Sequence, residues 1–146
     1  MESLEPRVFL FAYGTLMRGC PTHDVLLEAG ATFVTEAVTS ERHTLYDIIA
    51  NDERYPGLLI NGGEHYVEGE LYLIPEGGLE KLDVYEGVTE GEYIRTKIKV
   101  KRKDTNAEVE AYVYAINPEE LEKLVREGRA KPLVSLTGDV VRWNCP

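Results

Sequence analysis

The hydrophobic pattern opens on a dense apolar run, Val8-Phe9-Leu10-Phe11-Ala12-Tyr13, which closes on Gly14-Thr15-Leu16. A short continuous apolar segment bounded by a glycine predicts a buried strand, with Gly14 freeing the backbone to turn sharply at its end. Residues 32–38 and 45–49 also read as strands, as does the long run 66–74, which Pro75 ends. Gly69 inside that run predicts a bulge or the close approach of another backbone. Tyr55-Pro56-Gly57 reads as a turn leading into Leu58-Leu59-Ile60. Residues 93–103 alternate: Ile94, Ile98 and Val100 face one way, and Arg95, Lys97, Lys99 and Lys101 the other. Asp104-Thr105-Asn106-Ala107 can return the chain along residues 108–116. There Val109, Ala111, Val113 and Ala115 share one face, and Glu108, Glu110, Tyr112 and Tyr114 share the other. Lysines then oppose glutamates across a hairpin, a favourable cross-strand pairing.

Helical spacing recurs three times. Residues 22–30 offer Thr22 as N-cap and Gly30 just past the end. Residues 78–85 place Leu79 and Leu82 on one face. Residues 118–127 form the best-marked helix: Asn117 can cap it, Pro118 takes the first position, acids fill the first turn and Gly128 follows. The segment 132–146 fits either a strand or an extended arm. Many strands, few short helices and no βαβ rhythm predict the α+β class. The expected architecture is one domain over residues 1–146, a small mixed, mostly antiparallel barrel-like sheet with helices outside.

Composition narrows the function. With 146 residues the chain can bury a real core. Its formal charge of −10 makes it a poor partner for nucleic-acid phosphates, and the basic residues 97–103 read as solvated sheet surface. No apolar run is long enough to span a membrane, and the acidic N-terminal stretch lacks the apolar segment of a secretory signal. One distant pair of cysteines, Cys20 and Cys145, makes no disulfide framework and predicts a reducing, cytoplasmic setting. His23, His43 and His65 show no metal-ligand spacing, so neither metal nor other cofactor is expected. Cys20 lacks an oriented base and is not read as a nucleophile. The pattern does not specify an oligomeric state.

Two places carry possible chemistry. A strand that breaks at Gly14 leaves backbone N–H groups of Gly14, Thr15 and Leu16 available to an anion; many such glycines serve only turns. Glu86 continues the Leu79–Leu82 stripe at i+7 and precedes Gly87 at the helix end. The negative dipole end and partial burial both raise a carboxyl pKa there, as a proton carrier near neutral pH requires. From spacing alone, a surface glutamate in a fraying last turn is the plainer reading. Tyr13, Tyr72, Tyr85, Tyr93, Tyr112 and Tyr114 are candidates for lining a pocket, Tyr13 first and Tyr93 next, although tyrosines more often serve as core or rim residues. Arg95 reads as a strand-surface ion pair rather than a carboxylate clamp.

An ordered set of short motifs changes the weight of both places. Tyr13-Gly14-Thr15-Leu16, Tyr55-Pro56-Gly57, Val67 with Gly69-Glu70-Leu71-Tyr72, Leu82-Asp83 with Glu86-Gly87, and Tyr93-Ile94-Arg95 occur in that order. The set resembles the gamma-glutamylcyclotransferase-like family, in particular its short members similar to gamma-glutamylamine cyclotransferases. The resemblance runs from about Val8 to Tyr114. It implies a small barrel-like fold, Glu86 as the catalytic acid/base, and the loop Tyr13-Gly14-Thr15-Leu16 as the substrate-binding loop. It further implies a small gamma-glutamyl substrate cyclised to 5-oxoproline. A rival from another class is a non-catalytic module that binds a small acidic ligand in the same pocket. Residues 43–53 and 88–92 are expected to shape the leaving-group side.

Overall fold

The computed structural model describes residues 6–135 and 138–145. The acidic N-terminal stretch and part of the ambiguous segment 132–146 lie outside the described residues. In chain order the elements are β1 (Arg7–Ala12), α1 (His23–Glu28), β2 (Thr32–Thr39), β3 (Thr44–Ala50), β4 (Glu53–Leu59) and β5 (Tyr66–Pro75). Then follow α2 (Glu76–Tyr85), β6 (Tyr93–Arg102), β7 (Glu108–Ile116), α3 (Pro118–Arg126), β8 (Ala130–Pro132) and β9 (Val140–Val141).

Apolar residues on β1 and β5 meet in antiparallel register, Leu10 opposite Tyr72 and Phe11 opposite Leu71. The other edge of β1 pairs in parallel with β7 at Leu10–Tyr112. From β7 the sheet continues through β6 and β2 back to β5, so it closes on itself. Closure removes sheet edges and encloses the inward side chains. Leu10, Phe11, Leu71, Tyr72, Val100 and Val113 are all buried, each contributing on the order of 1.5–3 kcal/mol of hydrophobic stabilisation. The chain is thus α+β, a mostly antiparallel barrel-like sheet with a few short helices. A second sheet, β4-β3-β8, packs with α3 around Ile48, Ile116, Leu121 and Leu124.

Several expectations hold in detail. The β6–β7 hairpin sets Lys99 opposite Glu110 and Lys101 opposite Glu108. Asn117 accepts a capping bond from Glu119 N at 3.1 Å. Gly69 marks a close approach: a side chain there would press on the Ala12 carbonyl and the Phe11 ring. The register irregularity lies in β2, between Phe33 and Thr35.

Other expectations are corrected. Tyr55-Pro56-Gly57 is not a turn but the middle of β4, with Pro56 opposite Asp47 and Gly57 opposite Tyr46. β4 is the edge of its sheet, where a missing N–H is tolerated. The chain reverses instead at Asn51 and Asp52, with φ of 54° and 62°, the left-handed pair that a two-residue hairpin demands. Thr22 precedes α1 without making a capping bond. Cys20 and Cys145 are joined in a disulfide, with Cα atoms 5.6 Å apart across 125 residues of sequence. The tail makes this possible: β9 runs beside the start of β5 and Trp143 is buried in the core, which delivers Cys145 to the loop after β1.

Candidate functional site

The loop after β1 begins where the β1–β5 ladder ends, at Ala12 opposite Glu70. The carbonyls of Gly14, Thr15, Leu16 and Met17 are all hydrogen-bonded. Met17 N donates to Gly14 O at 3.1 Å, and Cys20 N to Met17 O at 3.1 Å. The Thr22 hydroxyl donates to Thr15 O at 2.8 Å. His23 Nδ1 lies 2.8 Å from Leu16 O; a carbonyl only accepts, so Nδ1 carries the proton. The N–H groups of Gly14, Thr15 and Leu16 find no acceptor among the described residues. Successive free amides of this kind form an anion-holding concavity. Gly14, Thr15 and Leu16 line a cleft of about 980 Å³. Gly14 is not in the left-handed region. Space is what requires it, because a Cβ would lie 2.5 Å from Pro56 Cγ. The freedom to turn expected of Gly14 is therefore not its role.

Glu86 lines the same cleft. Leu79 and Leu82 are buried on the inner face of α2. The stripe they start carries on to Glu86 at the C-cap, whose N–H donates to Leu82 O at 2.8 Å. The carboxyl has no hydrogen-bond partner among the described residues and is only partly exposed. Burial, reinforced by the charge of Glu92, pushes its pKa up to about 7. It can therefore exist in both protonation states near neutrality.

Three tyrosines build the walls. The Tyr13 hydroxyl donates to Tyr114 O at 2.6 Å and accepts from Leu58 N at 3.1 Å, so it ties β1 to both sheets. The Tyr93 hydroxyl donates to Pro56 O at 2.8 Å. Burial raises the pKa of both, and they stay neutral. Both residues line the cleft while their hydroxyls are spent on the backbone. The third, Tyr114, donates to Asp83 Oδ1 at 2.8 Å, which holds α2 against β7 three residues before Glu86. Asp83 also pairs with Arg95 at 3.5 Å, so Arg95 is the surface ion pair its sequence position suggested.

The six singled-out residues Tyr13, Gly14, Thr15, Leu16, Glu86 and Tyr93 thus meet in one cleft. Tyr114, one of the candidate pocket tyrosines, lines the cleft, whereas the supporting roles of Thr22, His23 and Asp83 were not recognised. Their signals are a hydroxyl and a ring nitrogen seven residues after the carbonyls they hold, and a carboxyl–phenol contact across 31 residues, all visible only in three dimensions. Of the two stretches expected to shape the leaving-group side, 43–53 is mostly strand β3. The hairpin tip Asn51-Asp52 and Glu92 reach the cleft as expected, joined by Glu120 and Lys123 of α3.

A family model described as gamma-glutamyl cyclotransferase, AIG2-like, matches residues 10–131. The gamma-glutamylaminecyclotransferase of Rattus norvegicus is 40% identical over 96 residues, 63% of this chain and 62% of that protein. That of Bos taurus is 37% identical over 109 residues, 72% of this chain and 63% of that protein. The chain therefore spans less than two thirds of the length of these relatives. A crystal structure of an AIG2-like protein from Mus musculus matches with a TM-score of 0.68 and 34% identity, covering 79% of this chain and 82% of that one. The closed sheet agrees with the structural likeness, and the family model covers most of the sequence: the chain belongs to the AIG2-like gamma-glutamyl cyclotransferase family.

Proposed function

We propose that the protein is a cyclotransferase that converts a small gamma-glutamyl amine or gamma-glutamyl amino acid to 5-oxoproline and the free amine. Family membership supports cyclotransferase activity in general. The reaction is intramolecular. The substrate α-amine attacks its own side-chain carbonyl, a five-membered lactam closes, and the bond to the leaving nitrogen breaks. Nucleophile and electrophile share one molecule, so folding the substrate supplies most of what is needed.

In this reading the Glu86 carboxylate takes a proton from the α-amine and returns it to the departing nitrogen. A carboxyl with a pKa of about 7 suits both halves of that transfer. The amides of Gly14, Thr15 and Leu16 hold the α-carboxylate or the developing oxyanion. Tyr13 and Tyr93 wall the glutamyl part. The observation that carries the reading is that Glu86, whose carboxyl has no hydrogen-bond partner among the described residues, and Gly14, Thr15 and Leu16, whose amides have none there either, line one cleft.

The test is 5-oxoproline release from a panel of gamma-glutamyl conjugates, for wild type and Glu86→Gln. A folded Glu86→Gln protein is expected to lose about 10²–10⁴-fold in turnover. Wild-type turnover in that variant rejects Glu86 as the proton carrier. A silent panel, together with binding of a small acidic ligand, favours a non-catalytic module instead.

A further inference from the structure

Glu70, on β5, is only 2% exposed, yet its carboxylate is fully occupied. Oε1 accepts the Arg18 backbone N–H at 2.9 Å and the Tyr72 hydroxyl at 2.8 Å. Oε2 accepts Arg18 Nε at 2.9 Å. Two of the three donors belong to one residue, and that residue lies two positions past Leu16. Glu70 is also the strand partner of Ala12. A single residue therefore holds both ends of the segment 12–18, whose middle carries the free amides.

The grip extends outward. Arg18 Nη2 lies 3.4 Å from Glu36 Oε1, and Glu36 Oε2 accepts Arg142 Nη1 at 3.1 Å. Glu36 stands opposite Glu70 on the neighbouring strand β2, so Arg18 bridges two carboxylates that would otherwise repel. Its guanidinium lies 3.7 Å from the centre of the Phe33 ring. An apolar pair of similar volume can serve stability as well as a buried ion pair does. What the ion pair adds is direction: it seizes a main-chain N–H and a side-chain N–H of the same residue, which leaves the loop one orientation.

We propose that Glu70 is a positioning residue that clamps the loop at Ala12 and Arg18 and so aims the Gly14, Thr15 and Leu16 amides into the cleft. The proposal rests on the cyclotransferase reading for what the amides bind, though not for the clamp itself. Two variants test it. Glu70→Gln keeps the volume and one oxygen but turns an NH₂ toward an Arg18 donor. Arg18→Lys, at a half-exposed position, keeps the charge and the backbone N–H but lacks Nε, and it folds even if the first variant does not.

The expected kcat/KM per folded molecule falls about tenfold in Glu70→Gln and about threefold in Arg18→Lys, the scale of a small misplacement of binding groups. The midpoint of the acidic limb of the pH profile stays where it is in wild type, because Glu86 is untouched. The amide resonances of Gly14, Thr15 and Leu16 shift in both variants, while those of the β6–β7 hairpin do not. A lower Tm with unchanged kcat/KM per folded molecule and unmoved loop resonances overturns the proposal. If wild type releases no 5-oxoproline, the cyclotransferase reading has failed instead. The loop resonances of the two variants then decide the clamp alone.

Discussion

Glu86 joins two properties that usually exclude each other: it is largely shielded from water, and no hydrogen bond stabilises its charge. Burial raises its pKa with no hydrogen bond among the described residues to offset it, and the charge of Glu92 adds to the shift. If its carboxylate is the base, kcat/KM falls as pH drops through about 7, and Glu86→Gln removes that limb. The linked effect on stability has the opposite sense from that of an ion-paired carboxylate. The folded state binds this proton more tightly than the unfolded chain, so the protein is destabilised as pH rises from about 4.5 to about 7. The full shift corresponds to roughly 3 kcal/mol. Glu86→Gln is therefore expected to melt above wild type at about pH 8 and close to it at about pH 4. Thermal melts at the two pH values check this. A variant that melts below wild type at the higher pH contradicts the buried, unpartnered state of the side chain.

At the scale of elements, the loop after β1 is braced from three directions. α1 supplies Thr22 and His23 behind its carbonyls, β5 supplies Glu70, and the tail supplies Cys145. The disulfide closes almost the whole chain into a loop, and loops of about 100 residues are associated with roughly 4–5 kcal/mol of stabilisation. Reduction, or Cys20→Ser, is thus expected to lower Tm substantially, with two thiols titratable only after reduction. Thiols that titrate in the untreated native protein refute the bridge. The hairpin at Asn51-Asp52 is a second lesson at this scale. Neither residue is glycine, yet both enter the left-handed region, which Asn and Asp tolerate better than other side chains. A prominent Pro-Gly four residues later drew the turn assignment away from it.

Across the whole molecule, the balance of charge leads to a prediction about the proposed substrates. The net charge is −10, and the cleft lining sets Asp52, Glu53, Glu86, Glu92, Glu120 and Glu127 against Arg54, Lys123 and Arg129. One of those cations, Arg129, already lies 3.4 Å from Glu127. Among gamma-glutamyl conjugates, those with a cationic leaving group are expected to show higher kcat/KM than those with an anionic one. The ratio is expected to shrink several-fold between about 0.02 M and about 0.5 M salt as the field is screened. Rates measured on one conjugate of each charge across that range check this, and a ratio insensitive to salt rejects electrostatic selection.

Local rules determined a good deal. Alternation, apolar runs, caps and terminal glycines marked the strands β1, β2, β3, β5, β6 and β7 and all three helices, because those signals act over a few residues. The i+7 spacing from Leu79 carried the apolar stripe on to Glu86, yet spacing alone favoured a surface glutamate, and it was the ordered set of motifs that singled this residue out. Tertiary structure decided the rest. Only the closed sheet brings Leu16 and Glu86 to one cleft, sets Pro56 so near Gly14 that no side chain fits, spends the Tyr13 hydroxyl on two backbones, and returns Cys145 to Cys20. These contacts join residues far apart along the chain, and extending a closed loop adds so little entropic cost that sequence distance carries almost no information about them.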